Sequence, residues 1–111
     1  MKYLVTKSHR PDSDKPIIAE KGSIFSWKSK PTIWDGWLWC TSEDGSAGWI
    51  PESWLKKQGK KAVLKRDYDA TELSANPGET VSGDLIESGW IWVTKRKNEN
   101  GWIPLRCLMR L

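Results

Sequence analysis

Apolar residues along this chain come in short alternating runs, and turn-forming residues cut the runs apart. Residues 37–41 read Trp-Leu-Trp-Cys-Thr and residues 90–94 read Trp-Ile-Trp-Val-Thr, both rich in side chains that suit a pleated surface. Each run passes through a polar segment, Ser42 to Ala47 or Lys95 to Asn100, into Gly-Trp-Ile-Pro at 48–51 or 101–104. The proline lacks a ladder donor and stops the second strand. The pattern predicts a hairpin in each place. No stretch shows the 3.6-residue recurrence of an amphipathic helix, so the chain is expected to be all-β.

The hairpins belong to a longer duplication. Gly36, Gly48, Pro51 and Leu55 recur as Gly89, Gly101, Pro104 and Leu108, each 53 positions on (89 − 36). Upstream the copies match more loosely. Glu20-Lys21-Gly22-Ser23 answers to Asn76-Pro77-Gly78-Glu79 at an offset of 56, and Tyr3-Leu4-Val5 answers to Ala62-Val63-Leu64 at 59. The first copy therefore holds two three-residue insertions, which belong in loops. The charged stretch Lys56-Lys57-Gln58-Gly59-Lys60-Lys61 has nothing to bury and marks the boundary, giving expected domains at 1–57 and 58–111. Each half suits one small barrel of about five short strands. With six residues between Leu55 and Ala62, the halves are expected to keep a fixed orientation, Trp39 or Trp92 forming the contact.

Strand side chains alternate between faces. Leu38, Cys40, Ile91 and Val93 fall on one side and, with Ile50, Leu55, Ile103 and Leu108, form the expected core. Trp37, Trp39, Trp49, Trp90, Trp92 and Trp102 then point outward. Composition supports that choice. The 111 residues include nine Trp beside one Phe and two Tyr, more indole than two small cores can pack. An outward row of aromatics is a candidate binding surface. Trp27 and Trp34, present in the first copy alone, are expected to pack loops.

Charge and cysteine content remove other classes. Eighteen Lys and Arg against 14 Asp and Glu give +4, shared equally by the two halves. Two cysteines, Cys40 and Cys107, do not make a disulfide framework, and with the single His9 they make no zinc site, so both thiols are expected reduced and structural. No cofactor is expected. No apolar stretch approaches the ~20 residues that span a bilayer, and Met1 to Lys7 do not read as a secretory leader. The expected location is cytoplasmic, with no membrane partner.

The Gly-Trp, turn, Gly-Trp-Ile-Pro pattern, with a hydrophobic residue four positions past the proline, resembles the second half of an SH3 domain. The second copy adds Leu64-Lys65-Arg66-Asp67-Tyr68-Asp69-Ala70, similar to that family's ALYDY motif, and Glu72-Leu73-Ser74 with Pro77-Gly78-Glu79, similar to its ELS segment. The first copy reads Val5-Thr6-Lys7-Ser8-His9 at the ALYDY position. The chain thus looks like a tandem SH3 protein of the divergent bacterial variant type. The resemblance implies two five-stranded SH3-like barrels joined by a short basic linker, each with an aromatic groove for a proline-rich peptide or protein partner. It implies groove tryptophans at Trp37 and Trp90 and groove prolines at Pro51 and Pro104, to which strand parity adds Trp49 and Trp102 as outward-facing candidates for ligand contact. The family's late tyrosine falls at Trp54 in the first copy and Cys107 in the second. Its second ALYDY tyrosine falls at His9 and Tyr68, while Lys7 and Arg66 replace the first. Read copy by copy, neither set is complete: the first offers His9, Trp37, Pro51 and Trp54, the second Tyr68, Trp90 and Pro104. The loop acids are Asp12 and Asp14 in the first copy, Asp69 and Glu72 in the second.

The function expected is therefore non-catalytic binding of a peptide or protein. The alternative is nucleic-acid binding, with aromatics stacking bases and Lys56, Lys57, Lys60, Lys61, Lys95, Arg96 and Lys97 holding phosphates. Short lysine runs also serve to protect exposed strand edges, which favours the peptide reading. Catalysis is not expected: Ser8 beside His9 has no orienting partner in the sequence.

Overall fold

The Trp-Leu-Trp-Cys-Thr run folds as β4 (Trp37–Thr41) and returns antiparallel as β5 (Ala47–Pro51), pairing Leu38 with Ile50 and Trp39 with Trp49. Its duplicate forms β10 (Trp90–Arg96) and β11 (Glu99–Pro104), pairing Ile91 with Ile103 and Trp92 with Trp102. This computed structural model describes residues 1–11, 15–32, 34–96 and 99–111. Asp12, Asp14 and Lys97, named above as charged candidates, lie outside the described residues. The remaining strands are β1 (Lys2–Val5), β2 (Ile18–Ala19), β3 (Ile24–Lys28), β6 (Leu55–Gln58), β7 (Lys61–Leu64), β8 (Tyr68–Asp69), β9 (Thr80–Glu87) and β12 (Leu108–Arg110). Among the described residues no helix is long and apolar enough to cross a membrane.

Proline ends each hairpin as expected. Pro51 and Pro104 hold φ at −57° and −61° and lead into single 3-10 turns, Glu52–Trp54 and Leu105–Cys107. The ring presets the angle at which the chain leaves the strand. β6 and β12 follow.

The sheets are ordered β5-β4-β3-β7-β6 and β11-β10-β9-β1-β12. Each therefore takes one strand from the other sequence repeat. β7, which opens the second repeat, pairs with β3 and β6 of the first; β1, which opens the first, pairs with β9 and β12 of the second. The chain forms two compact units, one of Met1–Asp14 with Thr71–Leu111 and one of Lys15–Ala70. The sheets cross the boundary expected at 57/58.

The cause lies in the stretch expected to be a linker. Lys56 to Lys61 is not a loose connector: β6 and β7 run back on each other, Gln58 opposite Lys61, around Gly59 at φ 63°. A two-residue hairpin turn of this kind needs a residue that tolerates positive φ. It delivers β7 directly to the place beside β6, leaving β1 to fill the matching place beside β12. The equivalence extends to individual bonds. Val5 N donates to Glu79 O at 2.8 Å and Gly78 N to Val5 O at 2.9 Å; Leu64 N donates to Ser23 O at 2.9 Å and Gly22 N to Leu64 O at 2.8 Å.

Among the described residues the end strands of each sheet are not paired to each other, so each five-stranded sheet is an open one whose inner residues enclose one core. In the Met1–Asp14 with Thr71–Leu111 unit that core gathers Tyr3, Val5, Val81, Ile91, Val93, Ile103 and Cys107, with Leu108 partly buried against it. In the Lys15–Ala70 unit Phe25, Leu38, Cys40, Ile50, Leu55, Ala62 and Leu64 are buried. The aliphatic face predicted from strand parity is thus the inner face. Gly83 fits this packing because a Cβ there would meet Trp92 O at 2.3 Å, beside the irregularity between Trp92 and Thr94. The three-residue insertion ahead of Gly36 also has a plain place. β9 turns into β10 through Ser88 and Gly89 at φ 45° and 89°, whereas eight positions separate the end of β3 at Lys28 from the start of β4 at Trp37.

The exchange makes Val5 a core residue of the second repeat's sheet. Val5→Ala is expected to cost about 2 kcal/mol. Hydrogen exchange should show the loss at Trp90, Trp92 and Trp102 rather than at Trp37 and Trp39. The reverse distribution would contradict the strand pairing.

Candidate functional site

The Lys15–Ala70 unit assembles most of the aromatic positions. Trp37 stands across the ladder from Pro51 and Trp39 across from Trp49. The Trp39 and Trp49 rings meet edge to face, with centroids 5.2 Å apart, a geometry favoured by the ring quadrupoles. The 3-10 turn after Pro51 sets Trp54 against Tyr68, again edge to face at 5.4 Å. Tyr68 is held by β8 pairing with β2, Tyr68 opposite Ala19, and its hydroxyl donates to Trp49 O at 2.8 Å. Trp54 and Tyr68 are only 8% and 4% exposed, and Pro51 is fully buried. Trp37, Trp39 and Trp49 are half-buried.

Cations lie on this aromatic surface. Arg66 stacks over Trp54 at 4.1 Å, and Lys30 sits 3.8 Å above Trp39 and 5.9 Å from Trp49. Lys57 covers Trp27 at 4.6 Å while the Trp27 indole donates to Gly59 O at 3.0 Å. Trp27 thus braces the β6–β7 turn, a packing role of the kind expected.

The second unit carries a different set. His9 reaches Trp90, edge to face at 5.4 Å, and its Nε2 lies 2.8 Å from Glu72 Oε1. Backbone bonds in both directions between His9 and Ala75 fix the position, and Arg10 donates to Ala75 O at 3.0 Å and Asn76 Oδ1 at 2.6 Å. The His9 and Glu72 side chains are 14% and 21% exposed. Pro104 stands across from Trp90 and is fully buried. Cys107, at the position of Trp54, is also buried.

The copy-by-copy grouping of site residues is therefore corrected. His9 lies with Trp90 rather than Trp54, and Tyr68 with Trp54 rather than Trp90, because the segments bearing them follow the exchanged strands. Regrouped, the Lys15–Ala70 unit holds Tyr68, Trp37, Pro51 and Trp54 together. A second correction concerns Trp102. It shares the outer face with Trp92, at 5.6 Å and edge to face, but is 3% exposed. Thr71 to Leu73 runs along its backbone, Trp102 N donating to Thr71 O at 2.8 Å and Leu73 N to Trp102 O at 3.1 Å. A Cβ on neighbouring Gly101 would lie 2.8 Å from Leu73 Cγ, a measure of how close that segment runs. Strand parity placed Trp102 on the outer face but carried no signal for its burial. It also missed Lys30, which comes from the inserted loop.

Other candidates have structural partners. Lys95 donates to Ser74 O at 3.0 Å and pairs with Glu79 at 3.0 Å. The Lys95 bond, aided by the Asn76 amide, holds the Glu79 carboxyl below its ordinary range. Burial pushes the Cys40 thiol up to about 12, so it stays protonated at neutral pH. Native protein at pH 8 is expected to leave Cys40 unmodified by iodoacetamide until it is unfolded. Fast labelling of the native thiol, read by peptide mapping, would show the site to be open.

The model of one family, the variant SH3 domain, matches residues 2–58. The match falls on the first repeat, whereas the ALYDY-like residues are fuller in the second. Neither a curated protein nor a solved structure matches the chain.

Proposed function

The chain belongs to the variant SH3 domain family, whose members are generally non-catalytic interaction modules, and we propose that it binds a peptide or partner protein through its tryptophan-bearing hairpin faces. The observation that carries the reading is the Tyr68–Trp54 contact beside the Trp37–Pro51 pair, four aromatic and proline positions of the family's groove in one unit. A polyproline II segment suits such a surface because it is already stiff and loses little entropy on binding. Trp37 and Trp49 keep partly exposed indoles for contact, while buried Pro51, Trp54 and Tyr68 set the floor and its shape.

In the other unit His9, Trp90 and Pro104 occupy the corresponding positions, and Trp102, on the same face of the hairpin, is buried. Cys107 gives no aromatic wall there, and Glu72 brings a carboxylate to the site. The two surfaces differ enough to prefer different ligands.

The double variant Trp37→Ala with Trp90→Ala is expected to lose capture of a proline-rich peptide or partner by at least tenfold while keeping its β-sheet signal. The check is an NMR titration of the indole N–H signals, with circular dichroism as the folding control. Unchanged capture by a folded double variant would sink the proposal.

A further inference from the structure

The contacts of the Lys15–Ala70 unit join into one strip. Arg66 lies on Trp54, Trp54 meets Tyr68, the Tyr68 hydroxyl bonds the backbone of Trp49, Trp49 meets Trp39, and Lys30 lies on Trp39. An aromatic strip with a cation at either end is an unusual surface for a ligand bearing arginine. We infer that this strip takes a peptide whose apolar, proline-containing core is flanked by acidic residues, an inference that rests on the peptide-binding reading above.

Three observations carry it. First, the exposed Arg66 holds its guanidinium carbon 4.1 Å from the Trp54 ring centroid, and a guanidinium carries a fork of N–H donors that matches a carboxylate. Lys30, exposed in its loop, offers a second ammonium at the other end of the strip. Second, the strand exchange concentrates charge here. Residues 15–70 hold ten Lys and Arg against seven Asp and Glu, +3, while residues 1–14 with 71–111 hold eight against seven, +1. Third, Asp67, the loop acid nearest Arg66 in sequence, already accepts from Lys21 N at 2.8 Å. Cations resting on Trp39 and Trp54 occupy the ring faces on which nucleic-acid bases would stack, and this favours a peptide over an oligonucleotide.

The test uses the full chain and three peptides with one proline-rich core, flanked at both ends by glutamate, glutamine or arginine. Binding is followed at the indole signals of Trp39, Trp49 and Trp54, with single-stranded oligo-dT as a fourth probe. The glutamate peptide is expected to bind about tenfold more tightly than the glutamine peptide at low salt. Added salt should narrow the gap. Arg66→Gln and Lys30→Gln, both at exposed positions, should each shrink the glutamate peptide's advantage over the glutamine peptide. Equal binding of the glutamate and glutamine peptides, or tightest binding of the arginine peptide, would overturn the acidic preference and leave the peptide-binding reading standing. Silence with all three peptides would overturn both, and oligo-dT binding tighter than the glutamate peptide would overturn the inference in favour of nucleic acid.

Discussion

The two-residue turn at Gly59 and Lys60 is the constraint from which the rest of this structure follows. In each sheet the opening strand lies beside the closing one, as β7 lies beside β6 and β1 beside β12. When so short a turn joins the end of one repeat to the start of the next, the nearest partner for the new strand is the one it has just left. β7 therefore completes the first repeat's sheet, and β1 completes the second's. Neither strand sits at an edge: each is paired on both sides, so each sheet depends on residues distant in sequence.

That geometry decides the chemistry of both surfaces. The residues after each opening strand travel with it, so His9 comes to Trp90 and Tyr68 to Trp54. One unit thereby gains an aromatic set that neither sequence copy holds alone, together with Arg66. The other receives a histidine paired with Glu72 and no aromatic side chain at Cys107. Two repeats of similar hairpin sequence become two surfaces of different polarity through the strand exchange together with the replacement of Trp54 by Cys107 at the equivalent position.

Much of the fold was legible in the sequence because it rests on local rules. Alternation fixed the inner faces of β4 and β10, and Gly-Trp-Ile-Pro fixed where β5 and β11 stop. The duplication identified equivalent residues down to Val5 and Leu64. What alternation does not encode is which strand an equivalent strand pairs with: Tyr-Leu-Val and Ala-Val-Leu present the same pattern of burial to either sheet. The grouping of the site residues failed for that reason, since it assumed that neighbours in sequence stay in one unit. Alternation likewise gave no sign that the Trp102 indole is buried, nor that Thr71 to Leu73 bonds to its backbone. Lys30 on Trp39 depends on an inserted loop with no counterpart in the second copy.

The strand exchange is tested most directly by a nuclear Overhauser spectrum that resolves the His9 and Tyr68 ring protons in the 111-residue chain. Cross-peaks are expected from His9 to the Trp90 indole, whose centroid lies 5.4 Å away, and from Tyr68 to Trp54 at the same separation. Cross-peaks from His9 to Trp54 and from Tyr68 to Trp90 would mean that each repeat keeps its own opening strand, and would contradict it.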